Sequence, residues 1–87
     1  PNMHQVLDAP YRITLINQNV PNIVAAISTA VSDLDINIAN ILNRSKGDYA
    51  YTILDLDETD EAKIQQLVDL FTSSDHIVKV RLIKGKK

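Results

Sequence analysis

The stretch YRITLINQNVPN, residues 11–22, decides the fold. Its first half alternates apolar and polar side chains, with Ile13 and Leu15 on one face, which predicts a half-buried β-strand. Turn-prone side chains at residues 17–19 then end the strand. Pro21 suits the first turn of a helix, because its missing N–H would have no partner there in any case. The stretch therefore predicts a strand, a short loop and the start of a helix.

The predicted first helix continues this pattern. Its N-cap is expected at Asn19, since asparagine is a preferred capping residue. Apolar residues then recur at the spacing of one helical stripe, which is the face that packs on a core. They are Ile23, Ile27, Ala30, Val31 and Leu34. The helix is expected to end near residues 33–35.

The next segment predicts a β-hairpin. Residues 36–45 form its first strand, and Asn40 interrupts the apolar face of that strand, so we expect a bulge or an edge position there. That apolar face comprises Ile36, Ile38 and Leu42. Residues 46–48 form the turn and residues 49–57 the return strand. In the return strand, Tyr51 and the two aspartates are expected on the side opposite the core.

A second helix and a last strand complete the pattern. The helix follows an acidic turn at residues 58–61, with Thr59 or Asp60 as its cap. Its apolar stripe consists of Ile64, Leu67, Val68 and Phe71. The strand spans residues 76–84, and its inward side chains are expected to be Val78, Val80 and Leu82.

The ends of the chain lack this regularity. Residues 1–10 show no usable periodicity and are interpreted as a linker or arm, residues 11–84 as the folded domain, and residues 85–87 as a solvated tail. The chain begins at Pro1 rather than at Met, so we expect it to be a piece of a longer protein.

The order of elements is βαββαβ. Right-handed crossovers turn this order into an α+β, ferredoxin-like sandwich, a four-stranded antiparallel sheet with both helices on one face. The strands are expected in the order 4-1-3-2, which leaves the second and fourth strands as edges. Exposed edges invite pairing with a second copy of the chain.

Composition excludes several classes of function. With 87 residues there is room for one domain and little room for an enclosed pocket. No segment approaches the roughly 20 apolar residues of a membrane span, so no membrane partner is expected. The absence of cysteine excludes disulfides and thiolate metal sites and is compatible with the cytoplasmic location that we expect. A net charge of −2 argues against nucleic acid as a partner.

No residue pattern indicates catalysis or a metal site. The acidic residues 55–61 are expected at a strand end and a helix N-terminus, where they complement the helix dipole. His4 and His76 have no serine or aspartate at a spacing typical of a catalytic triad. We therefore assign no catalytic and no metal-binding residue.

An RNA-binding platform of the same topology is a weaker alternative. Such a platform carries base-stacking aromatic residues on the two central strands. The first strand offers only Tyr11, at its start, whereas the third offers Tyr49 and Tyr51. Packing of the outer sheet face, against a partner for example, is the preferred interpretation.

The loop between the first strand and the first helix is the most informative segment. A helix N-terminus presents free backbone N–H groups and suits a carboxylate. Asn17 and Asn19 add amides that both donate and accept hydrogen bonds. Together these groups match a zwitterionic amino acid. The alternative is that the asparagines only cap the helix and form the turn.

Three segments together resemble ACT domains. They are YRITLINQNVPN at residues 11–22, DINIAN at residues 35–40 and GDYAYTILDLD at residues 47–57. The resemblance covers residues 10–82 and is strongest to the C-terminal regulatory domain of bacterial D-3-phosphoglycerate dehydrogenases. It implies a non-catalytic regulatory domain, whose catalytic domains use NAD and lie elsewhere in the parent chain. No cofactor is expected in this domain.

The resemblance also implies a ligand and a partner. In that family, two domains pair side by side as a homodimer with a continuous sheet, and L-serine binds at the interface as a feedback inhibitor. By position, Asn19 matches the loop asparagine of the family. Asn37 matches the asparagine at the start of the second strand, which reaches across from the partner. Another small amino acid would satisfy the same amides.

Two positions depart from the family pattern. Serine sensors of the family have histidine where this chain has Asn17, and glycine where it has Asn22. Asn17 can still form hydrogen bonds, but the side chain of Asn22 replaces the hydrogen that lets a ligand approach the helix backbone. The predicted ligand residues are therefore Asn17, Asn19, Asn22 and Asn37. The alternative is a purely structural oligomerisation module whose ligand site has decayed.

Overall fold

A computed structural model describes residues 9–85 of the chain. Its elements are β1 Tyr11–Gln18, α1 Ile23–Asp33, β2 Asn37–Lys46, β3 Tyr49–Asp57, α2 Glu61–Thr72 and β4 Ile77–Lys84. The strands form one antiparallel sheet in the order β2-β3-β1-β4, which confirms the predicted class and strand order. Most of the predicted arm, with His4, lies outside the described residues, as do Lys86 and Lys87 of the predicted tail.

One face of the sheet packs against both helices and forms the core. α1 lies over β2, and α2 lies over β4. Ile13, Leu15 and Leu54 have no exposed surface, and burying each side chain stabilises the fold by about 1.5–3 kcal/mol. The predicted apolar stripes of the two helices supply the rest of this core. Their buried members are Ile23, Ile27, Val31, Ile64, Leu67 and Phe71.

β1 is longer than the sequence predicts. Asn17 and Gln18 belong to the strand and pair with Ala50 and Tyr49 of β3. The prediction that residues 17–19 end the strand is therefore wrong for its first two residues. Asparagine is tolerated inside a strand here because its side chain finds partners on the buried face, as described below.

The two helices begin as follows. Asp60 caps α2, since its Oδ1 accepts a hydrogen bond from the Ala62 N–H at 3.0 Å, which confirms one of the two predicted caps. The N-cap residue of α1 is Asn22 rather than Asn19. The prediction for α1 is wrong because Asn19 bonds to the β2–β3 hairpin instead.

Register shifts change which side chains face the core. The expected irregularity in β2 is confirmed: the register shifts between Ile38 and Asn40, and Leu42 then lies opposite Ile53 on the outer face. A second shift, in the pairing of β4 with β1, places Ile77 opposite Asn17. Val78 is consequently 60% exposed, so its predicted inward position is wrong.

The residues next to the predicted boundaries pack on the domain. Ala9 and Pro10 are buried, and the Gly85 N–H donates to the Pro10 carbonyl oxygen at 2.7 Å. A Cβ atom on Gly85 would overlap the Ala9 carbonyl oxygen, so glycine is required for this close approach. Within residues 9–85, neither helix has the length and apolar character needed to cross a membrane.

Candidate functional site

The predicted ligand loop lies at the end of the sheet that carries the β2–β3 hairpin. The backbone N–H of Asn19 donates to the Asp48 carbonyl oxygen at 2.8 Å. Gly47 adopts a φ of 65°, in the left-handed region that this two-residue turn needs. The loop is therefore held to a tight turn of the neighbouring hairpin.

Asn17 is fully buried beneath this loop. Its Oδ1 accepts a hydrogen bond from the Thr52 hydroxyl at 2.8 Å, and its Nδ2 donates to the Gln18 carbonyl oxygen at 3.1 Å. The Thr52 oxygen in turn accepts from Asn43 Nδ2 at 2.8 Å. Side chains of β1, β3 and β2 thus form one continuous chain of hydrogen bonds across the sheet. Asn17 supports the loop from below and has no surface open to solvent.

Asn19 is exposed, and both ends of its amide have partners. Nδ2 donates to the Gly47 carbonyl oxygen at 3.1 Å, and Oδ1 accepts from the Ser45 hydroxyl at 3.3 Å. These are exposed hydrogen bonds, whose net contributions to stability are small. Breaking the long contact with Ser45 therefore costs little free energy.

Asn22 has an unusual backbone conformation. Its φ is 67° and its ψ 10°, in the left-handed region, which asparagine tolerates better than most side chains. Its side chain is exposed. No side chain caps α1, and its first turn contains no acidic residue. In the first turn, the Ile23 N–H donates to the Val20 carbonyl oxygen at 3.4 Å and the Ala26 N–H to the Asn22 carbonyl oxygen at 2.9 Å, which leaves the N–H groups of Val24 and Ala25 without an acceptor in the helix.

Asn37 lies far from the other three predicted residues within one chain. It is exposed at the start of β2 and pairs with Asp57, whereas the hairpin follows the end of the same strand. Ten strand residues separate the two positions by roughly 30 Å. A single chain therefore brings together Asn17, Asn19 and Asn22 but not Asn37.

Three residues near this loop were not predicted from the sequence. They are Thr52, whose hydroxyl donates to Asn17, Ser45, whose hydroxyl donates to Asn19, and Asn43, whose amide donates to the Thr52 hydroxyl. A polar signal was present at Thr52, because it interrupts the buried run of Ala50, Leu54 and Leu56 in β3. The partners of Thr52 depend on strand pairing, which the sequence pattern alone does not specify.

The acidic residues 55–61 have structural partners. Asp55 forms a bidentate ion pair with Arg12 across the sheet, at 2.6 Å to Nε and 3.0 Å to Nη2. The hydrogen bond to Asp55 raises the pKa of Arg12, which therefore stays charged at neutral pH. Glu58 accepts from the Asp60 N–H at 3.1 Å. In the described part of the chain, no three acidic or histidine residues form a group that would hold a metal ion.

His76 is likewise paired. Its Nδ1 lies 2.9 Å from Gln18 Oε1, and the side chain is exposed just before β4 begins. This contact ties the loop before β4 to the end of β1.

Comparison with known proteins gives similarity in structure but not in sequence. The sequence matches no protein-family model and no curated protein. The ACT domain of GTP pyrophosphokinase from Chlorobium tepidum superimposes with a TM-score of 0.74 at 18% identity, over 84% of this chain and 95% of that one. The chain has the fold of an ACT domain.

Larger proteins contain the same fold as one part. A homoserine dehydrogenase from Thiobacillus denitrificans gives a TM-score of 0.74 at 21% identity, over 85% of this chain and 16% of that one. The regulatory subunit of aspartate kinase from Thermus thermophilus gives 0.68 at 15% identity, over 90% of this chain and 53% of that one. Identities this low establish the fold, and the predicted ligand and parent enzyme stay predictions.

Proposed function

We propose that this chain is a regulatory domain of a D-3-phosphoglycerate dehydrogenase, which pairs with a second copy and binds L-serine between the two. The observation that carries the proposal is the β1–α1 loop. There, exposed amide groups of Asn19 lie beside a helix N-terminus that no side chain caps. The sequence resemblance supplies the identity of the ligand and of the parent enzyme.

The chemistry of the loop suits an amino acid. Residues 17–22 contain no charged side chain, so a ligand without net charge fits better than an anion or a cation. The open N–H groups of α1 suit its carboxylate, and the amide oxygen of Asn19 suits its ammonium group. L-serine carries both groups at neutral pH.

The β2 edge suits pairing with a second copy. It is an edge strand of ten residues, and Val24 of the overlying helix and Ile41 of the strand are 37% and 36% exposed. Antiparallel pairing of two β2 strands about their centres brings Asn37 of one copy opposite Lys46 of the other. Lys46 immediately precedes Gly47, to which Asn19 is bonded. The pairing thus unites Asn37 with the ligand loop of the second copy.

Regulation then follows from linkage. Serine that contacts both copies stabilises one dimer geometry relative to others, and this geometry biases the attached catalytic domains. A coupling free energy of about 1–3 kcal/mol is typical of such systems. The catalytic domains, with their NAD, belong to the rest of the parent chain.

The direct test is calorimetric titration of the 87-residue chain with L-serine, together with thermal melts. At serine concentrations about 100 times the dissociation constant, the free energy of unfolding rises by about 2.7 kcal/mol. Asn19→Ala should abolish the heat, whereas Gln66→Ala, which removes an exposed amide from α2, should not. The absence of both heat and a rise in Tm at millimolar serine contradicts the proposal.

Pairing is tested separately by sedimentation velocity. Ile41→Lys places a charge on the β2 edge and should shift the chain from dimer to monomer. Lys at position 78 of β4, introduced as Val78→Lys, is the matched control on the other edge and should leave the dimer intact. The reverse pattern would move the interface to β4.

A structural pairing module without a ligand is the second candidate, and Asn22 is the observation that favours it. The side chain adds bulk at the point where a carboxylate would approach α1. If this bulk prevents binding, Asn22→Gly should create or strengthen the response to serine. An unchanged Asn22→Gly variant excludes steric block at this residue as the reason.

A further inference from the structure

Charge is segregated between the two layers of the domain. Within residues 9–85, the helices and the loops that join them to strands hold one basic residue, Lys63, against seven acidic residues. The acidic residues are Asp33, Asp35, Glu58, Asp60, Glu61, Asp69 and Asp75. The strands hold the other described bases, which are Arg12, Arg44, Lys46, Lys79, Arg81 and Lys84. The helix layer is therefore acidic, whereas the strands, whose acidic residues are Asp55 and Asp57, are net basic.

The outer face of the sheet, which no helix covers, collects four of these cations around two tyrosines. Strand register places Arg44 beside Tyr51, and Lys46 beside Tyr49. On the same outer face, Lys79 and Arg81 of the other edge strand, β4, lie opposite Ile16 and Thr14 of β1. We call these six residues the outer platform: Arg44, Lys46, Tyr49, Tyr51, Lys79 and Arg81.

The centre of the outer platform is apolar and accessible. Tyr49 and Tyr51 are 50% and 45% exposed, and both lie on β3, a central strand, about 7 Å apart along it. A shallow depression of about 170 Å³ lies between Tyr51, Ile16 and the two β4 cations. Asp55 on this face is paired with Arg12, and the other acidic residues of the sheet layer are Asp48, in the hairpin, and Asp57, at the far end of β3.

The four cations and the two exposed tyrosine rings together distinguish between three candidate ligands of the outer platform. A second copy docked face to face would bring the platform cations against each other, which is unfavourable. An acidic polypeptide would use the cations but has no specific use for two exposed rings at alternate strand positions. A single-stranded nucleic acid uses both, since its phosphates pair with cations and its bases stack on aromatic rings.

We propose that the outer platform binds single-stranded nucleic acid, with bases stacked on Tyr49 and Tyr51 and phosphates held by the flanking cations. The outer platform lies on a face of the sheet, whereas the ligand loop lies at its end, and Arg44 and Lys46 belong both to the platform and to β2, the strand proposed to pair with a second copy. The net charge of the whole chain argues against nucleic acid as a partner, but the affinity depends on the charge of the face that contacts the nucleic acid.

Fluorescence anisotropy of a labelled single-stranded RNA of about 12 uridines tests the proposal on the 87-residue chain. Tyr51→Leu keeps an apolar side chain but removes stacking, so affinity should fall by about 5- to 150-fold, whereas Tyr51→Phe should retain it. Arg44→Gln with Arg81→Gln should weaken binding further. Lys63→Gln removes one charge from the helix layer and is the matched control. Circular dichroism confirms that each variant is folded.

Salt dependence provides an independent readout. If two to four phosphates are neutralised, affinity should fall about 7- to 50-fold between about 50 and about 200 mM salt. No binding to the wild-type chain overturns the proposal. So does equal weakening by Lys63→Gln and Arg81→Gln. Competition by polyglutamate that Tyr51→Leu leaves unchanged would identify an acidic polypeptide as the occupant. Self-association that persists in Ile41→Lys and is lost in Tyr51→Leu would identify a second copy.

Discussion

The two helices of this domain begin in different ways. α2 is capped by its own residues, because Asp60 accepts a hydrogen bond from the Ala62 N–H and Glu61 adds a negative charge in the first turn. α1 begins at Asn22, in the left-handed region, with neither a side-chain cap nor an acidic first turn. Since both helix dipoles favour a negative group at this end, the difference leaves α1 open to an acceptor from outside the chain.

α1 is held in place by the sheet instead of by a cap. The loop before it bonds to the β2–β3 hairpin through Asn19, and Asn17 beneath it bonds to Thr52. The N-terminus of α1 is therefore positioned by hydrogen bonds between its preceding loop and the sheet, and not by a side-chain cap. Four substitutions test this contrast, in order of decreasing effect on stability.

The largest effect is expected for Thr52→Val, which keeps the side-chain volume but removes the hydroxyl. Asn17 Oδ1 then has no donor in a buried site, so the free energy of unfolding should fall by about 1–3 kcal/mol. Urea unfolding followed by circular dichroism measures this change. Thr52→Ser retains the hydroxyl and should lose less. A Thr52→Val variant as stable as the wild type would show that the support of α1 lies elsewhere.

Asp60→Ala should have the next largest effect. It removes the cap of α2 and should lower the free energy of unfolding by about 1 kcal/mol. Asn19→Ala is the comparison at α1 and should lower it by about 0.5 kcal/mol, because Asn19 makes only exposed hydrogen bonds and does not cap the helix. Equal losses in both variants would contradict the contrast between the helix ends.

Ala25→Glu should produce a smaller change of opposite sign. A carboxylate in the uncapped first turn of α1 should stabilise the domain by about 0.3–1 kcal/mol at low salt, and weaken serine binding by repelling its carboxylate. Ala62→Glu is the matched substitution in α2, where Asp60 and Glu61 are already present, and should give no gain. Melting temperatures at low and high salt distinguish this dipole effect, which salt screens, from a change in packing.

The smallest effect is expected for Asn22→Gly, within about 0.5 kcal/mol, because both residues adopt a φ of 67° at little cost. Asn22→Ala is the control and should cost about 1 kcal/mol or more, since alanine does not favour the left-handed region. Equal stability of the two variants would indicate that the loop relaxes to an ordinary conformation when the side chain changes.

Local features of the fold were predictable because they depend on neighbouring residues. The hydrophobic stripes of both helices, the hairpin turn and the Asp60 cap each follow from residues a few positions apart. The N-cap of α1 was predicted wrongly, because the Asn19 side chain donates to the carbonyl oxygen of Gly47 in the hairpin, 28 positions away. The position of Asn17, Asn19 and Asn22 around one loop was predictable because they are close in sequence, and their role in binding stays a prediction.

The sequence by itself determined the order of the six elements and the apolar residues that build the core, since periodicity records which face of each element is buried. Tertiary structure alone decided the burial of Asn17, whose donor Thr52 is 35 positions away. It also decided the outward turn of Leu42 after the β2 irregularity and the collection of cations on one face of an acidic domain. These features arise from strand pairing, which brings together residues that no local pattern relates.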